Sequence, residues 1–100
     1  MRPLALLREA RRAPYPLAVS IPARRVEAAC GECRFGLAGD GCDLAVRIDG
    51  VAYFVDGTHI DDHGDAHAQD GFCNSIRHAD VEGEIVDGRF VARSFRLVAG

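Results

Sequence analysis

The sequence predicts a mainly β domain, a small five-stranded OB-like or partly open barrel with one short helix. Two Asp-Gly pairs, each set between apolar runs, mark two hairpins. The last of those runs changes the parity of its apolar residues partway, which is the mark of a bulge or bend of the kind that closes a barrel. With 100 residues and 11 Gly, there is room for one hydrophobic core and many turns.

The first hairpin runs from Leu44 to Ile48, turns at Asp49 and Gly50, and returns from Val51 to Val55. A two-residue turn fixes the pairing: Ile48 faces Val51, Val46 faces Tyr53 and Leu44 faces Val55, giving one apolar face. The second hairpin joins Ala79 to Val86 with Arg89 to Val98 through Asp87 and Gly88, and this register sets Glu82 opposite Arg93. Beyond Arg93 the apolar positions Phe95 and Leu97 change parity, placing a bulge near Ser94. Arg25 to Ala29 reads as a further short strand. Gly71 to His78 reads as the one helix, with Asp70 as N-cap and Cys73 in its first turn. Residues 1–24 form an N-terminal arm in which Pro14 and Pro16 block helix, and residues 25–100 form the barrel domain.

Charge is divided unevenly along the chain. Residues 1–29 carry 6 Arg against 2 acids, and residues 30–100 carry 6 Arg against 13 acids, with no Lys anywhere. An acidic body argues against nucleic acid, whose phosphates require a basic face, and favours cations or basic partners. The strands also lack the exposed aromatics interleaved with basic groups that single-stranded nucleic acid stacks on. No stretch reaches the roughly 20 apolar residues of a membrane span, and the Leu4 to Leu7 run is too short for the core of a signal peptide.

Two clusters carry potential chemistry. Cys30-Gly31-Glu32-Cys33 is a CxxC whose sulfurs can converge on one ion, with Gly31 permitting a tight reversal, and Cys42 and Cys73 supply two more thiols. The second cluster runs from Thr58 to Asp70 and sets His59, His63 and His67 at spacings of four among acids, with Thr58 and Asp61 spaced as a capping box. Imidazole with carboxylate favours zinc or another transition metal over calcium, which prefers all-oxygen shells. The expected metal set is therefore Cys30, Cys33, Cys42, Cys73, His63 and His67, with Asn74 and Arg77 placed to order the loop carboxylates.

Three functions fit these residues. One is a metal-binding module without catalytic residues, more readily a binding protein than an enzyme. Another is a disulfide-stapled barrel that binds a protein or small ligand. The last is a CxxC thiol oxidoreductase, for which the surrounding glycines offer no sustained helix. The same residues leave the four Cys open between metal ligation, two disulfides, and one disulfide with two thiols.

The segments CGECRFGLAGDGCDLAVRIDGVAYFVDG and DDHGDAHAQDGFCNSIRHADVEGEIVDGRFVARSFRL resemble a family of small bacterial proteins classed only as a domain of unknown function. The likeness spans Val26 to Leu97. It implies an exported or periplasmic protein with a signal peptide ahead of the CGxC, and thereby favours disulfides over a cytosolic zinc site.

Overall fold

The computed structural model describes residues 18–99. Strand β1 is Ala18–Cys30, β2 Leu44–Ile48, β3 Val51–Asp56, β4 Arg77–Val86 and β5 Arg89–Leu97. They close into a barrel in the order β1-β2-β3-β5-β4. All neighbours are antiparallel except β3 and β5, which meet in parallel through Val55 with Phe90 and Asp56 with Val91. The expected OB-like barrel is therefore present, and closed instead of partly open. No helix among the described residues is long and apolar enough to cross a membrane.

Both Asp-Gly turns form as the sequence predicts. Asp49 and Gly50 take φ values of 52° and 88°, and Asp87 and Gly88 take 52° and 76°, the left-handed pairs that match the twist of the flanking strands. Ile48 pairs with Val51 and Val46 with Tyr53. In the second hairpin the expected pairing holds as far as Gly83 with Ala92, and then the register shifts so that Glu82 lies opposite Ser94. The bulge thus falls at Arg93, one residue before the expected place, and the predicted Glu82 to Arg93 register is corrected by one. Their side chains still form an ion pair at 3.8 Å.

The first strand is much longer than Arg25 to Ala29, because it serves two neighbours. Its Ala18 to Ala28 stretch pairs with β4 while Glu27 to Cys30 pairs with β2. Residues 18–24, read as part of an arm, are strand; residues 1–17 lie outside the described residues. The β1 to β4 register slips between Ile21 and Arg24, where Pro22 has no N–H to give a ladder.

The expected helix from Gly71 to His78 does not form. Ser75 N–H reaches Gly71 O at 2.9 Å for one turn, but Arg77 is already the first residue of β4 and pairs with Ala28. Pairing with β1 takes up the backbone groups that a second helical turn would need. The helical turns lie elsewhere: α1 at Gly31–Arg34 and a 3-10 turn at Ile60–His63.

The core gathers Val26, Ala28, Leu44, Val46, Val81 and Phe90 with Cys30 and Phe72. Phe90, Val46, Val81 and Cys30 are its largest fully buried side chains. Outside, arginine and carboxylate groups pair across neighbouring strands: Arg25 Nε donates to Asp80 at 2.9 Å, and Arg47 Nε to Glu27 at 2.6 Å, each opposite its partner in the register. Such exposed pairs contribute little to stability, because solvent screens them.

Two outcomes test this account. Truncating Phe90 to Ala removes a fully buried aromatic side chain from the core and should cost about 3 to 5 kcal/mol by urea unfolding. The hydrogen bond and charge from Arg25 hold the Asp80 carboxyl below the usual range, and Arg47 does the same for Glu27 against partial burial. With folded values below the unfolded values of about 3.9 and 4.3, their stabilisation is full above the unfolded values. It is lost as pH falls through the folded ones. Arg25→Gln should lower the neutral plateau of a stability-versus-pH profile and leave stability below the folded carboxyl values unchanged, so that the acid limb flattens.

Candidate metal and thiol centre

Four cysteines meet at one end of the barrel. The Sγ atoms of Cys30, Cys33, Cys42 and Cys73 all lie within 4.8 Å of one another, and among the described residues no other set of three or more His, Cys, Asp or Glu side chains forms such a group. Cys42 and Cys73 are joined by a disulfide, and Cys30 and Cys33 are free thiols.

Each sulfur is delivered by a different device. Cys30 is the last residue of β1, fully buried, and the chain turns directly into α1, which lifts Cys33 to the surface. Gly31 is needed here for space, since its φ is not left-handed. A Cβ at this position would lie 2.8 Å from the Phe54 ring, 2.9 Å from Leu37 and 3.0 Å from Ala45. The tight reversal expected of Gly31 is thus a close approach to β2 and β3. Cys42 is drawn in beside Asp43, whose carbonyl accepts from Gly31 N–H at 2.8 Å. Cys73 is drawn in beside Phe72, whose carbonyl accepts from Cys30 N–H at 3.0 Å.

Burial, with Cys33 beside it, pushes the Cys30 thiol up to about 11. Glu32 Oε1 sits 3.7 Å from Cys30 Sγ and accepts from Asp43 N–H at 2.9 Å. Partial burial pushes the Glu32 carboxyl up, but the Asp43 contacts outweigh it and hold the group low. Asp43 is raised in turn by sharing that position with Glu32.

The histidines lie apart from the sulfurs and hold the loop together. The three imidazoles do not share a helix face, because Gly64 at φ 102° ends the 3-10 turn after His63. The capping box is present one position later than predicted: His59 accepts from the following backbone and Asp62 caps back onto His59 N–H at 2.9 Å. His63 Nε2 is 2.9 Å from Thr58 Oγ1, and its ring packs with centroids 4.7 Å from Phe95 and 6.1 Å from Phe72. Burial there lowers its pKa. His67 contributes its backbone, its N–H going to Asp65 and its carbonyl to Asn74. Asn74 and Arg77 order this loop through carbonyls, Arg77 reaching Asp70 O at 2.8 Å, and not through the carboxylates expected. Of the six expected ligands the fold therefore brings four together, the cysteines.

Glu32 is the site residue that sequence reasoning passed over. Its signal was its place inside the CxxC, two residues from the first sulfur. Comparison with curated proteins and with solved structures yields no match. A family profile matches residues 24–98, which include all five strands in whole or in part and all four cysteines. The chain belongs to the Family of unknown function (DUF6370).

Proposed function

We propose that the reduced domain is a metal-binding module in which the thiolates of Cys30, Cys33, Cys42 and Cys73 hold one divalent transition-metal ion, zinc by preference. The observation that carries this reading is the convergence of all four sulfurs within 4.8 Å. A staple requires two cysteines at one place, whereas a tetrahedral thiolate site requires four. A zinc tetrathiolate with bonds near 2.3 Å has sulfur to sulfur edges of about 3.8 Å, so the cluster needs adjustments of about 1 Å to accept the ion. Soft thiolates in a tetrahedral set select zinc or iron over calcium and magnesium.

The backbone spacing supports the same reading. The Cα atoms of Cys42 and Cys73 are 7.3 Å apart. That exceeds the usual disulfide span of about 4.4 to 6.8 Å and suits two sulfurs meeting on a common ion. The Cys42 to Cys73 disulfide is then the oxidised, metal-free form of the same site. Both forms use the same sulfurs, so metal and disulfide exclude each other.

A second reading has the disulfide itself in its favour: a permanent staple with the two free thiols as core and surface residues. It ties positions 31 residues apart. In the chain-entropy model a loop of that size contributes about 3 to 4 kcal/mol.

Elemental analysis of untagged, reduced full-length protein should find about one zinc per chain, held at the affinity usual for structural sites, and Cys33→Ser should lower that affinity. Cobalt substitution should give the absorption of a four-thiolate tetrahedral ion. Metal content near zero with the disulfide intact under native redox conditions favours the staple instead. In the presence of a chelator, reducing the Cys42 to Cys73 disulfide should lower unfolding stability by about 3 to 4 kcal/mol. Adding back zinc to the reduced chain should restore it.

A further inference from the structure

We propose that the cysteine cluster is a two-step disulfide relay that carries the Cys42 to Cys73 bond, through Cys30, to a surface port at Cys33. The relay uses no metal and does not depend on the metal-binding reading.

The geometry places a nucleophile against the bond it would attack. Cys30 Sγ lies 3.1 Å from Cys42 Sγ and within 4.8 Å of Cys73 Sγ, so it touches the disulfide from the side and must swing into line with the Cys42 to Cys73 bond to attack it. Cys33 Sγ is within 4.8 Å of all three other sulfurs, and its residue is exposed while Cys30 is buried and Cys42 and Cys73 are half-buried. A CxxC placed at a disulfide in this order has an inner sulfur that reaches the bond and an outer one that reaches solvent. A buried thiol used only for packing has no need of sulfur contact with a disulfide.

The steps balance without an outside oxidant or reductant. Cys30 Sγ, having given up its proton, attacks Cys42 Sγ. The Cys30 to Cys42 bond forms, the Cys42 to Cys73 bond breaks, and Cys73 leaves as a thiolate that takes up a proton. Cys33 Sγ then attacks Cys30 Sγ, forming the Cys30 to Cys33 disulfide and releasing Cys42 as the thiol. One disulfide and two thiols enter, and one disulfide and two thiols result.

Cleavage after Arg separates the participants, because Cys30 and Cys33 share peptide 26–34, Cys42 lies on 35–47 and Cys73 on 48–77. Full-length protein carrying one disulfide per chain is incubated with a chelator near the ordinary thiol pKa of about 8.5. It is then quenched with acid, alkylated, digested and mapped by mass spectrometry at successive times. The relay predicts loss of the 35–47 to 48–77 linkage and gain of a disulfide internal to 26–34, at a rate independent of protein concentration. In Cys33→Ser, an exposed position chosen to spare the fold, a 26–34 to 35–47 linkage should accumulate instead. A linkage that stays between 35–47 and 48–77 in both proteins overturns the proposal. So does conversion that speeds up with protein concentration, since exchange would then run between chains. Zinc content of the reduced protein tests the metal site separately, so either idea can fail alone.

Discussion

Two backbone hydrogen bonds at the end of β1 hold the cysteine centre together. Cys30 N–H donates to Phe72 O and the next amide, Gly31 N–H, donates to Asp43 O. Each acceptor is the immediate neighbour of another cysteine, Cys73 on one side and Cys42 on the other. Buried amides must find partners, and meeting that requirement at two consecutive residues fixes three separate stretches of chain at one point. The side chain of Phe72 anchors one of these stretches in the core, and Leu44, two residues after Cys42, anchors the other. The cluster is thus a consequence of how the barrel ends.

Under the proposed reading, that arrangement gives the centre two states. The scaffold sets four sulfurs close enough for a common ion, and also close enough for bonding and exchange among themselves. Thiolates that hold a metal cannot be oxidised without releasing it, and a disulfide removes two of the four ligands. Cys30 lies at the middle of the cluster: its side chain is fully buried, its thiol is pushed up to about 11, and it touches Cys42. Cys33 is the contact with solvent.

What could be read from the sequence was local. The two Asp-Gly turns need left-handed backbone at both central residues, and that chemistry alone set the hairpins and most of their register. The CxxC was equally visible, because its two sulfurs are held together by three peptide bonds. The convergence of Cys42 and Cys73 depends on closure of β1 against both β2 and β4, a long-range event that no spacing encodes. The histidine loop was ambiguous for a related reason: spacings of four suit a helix face or a capped loop, and Gly64 decides for the loop, with His63 spent on Thr58 and the Phe72 and Phe95 rings. The helix expected at Gly71 to His78 lost to pairing with β1, a tertiary demand that overrides weak local propensity.

X-ray absorption at the zinc edge of the reduced, zinc-loaded protein tests the central claim most directly, because it reads the atoms around the ion. Four sulfurs at about 2.3 Å, with no nitrogen or oxygen in the inner shell, is the predicted result. A shell containing imidazole nitrogen or carboxylate oxygen, or no ordered shell at all, would contradict a centre built from Cys30, Cys33, Cys42 and Cys73.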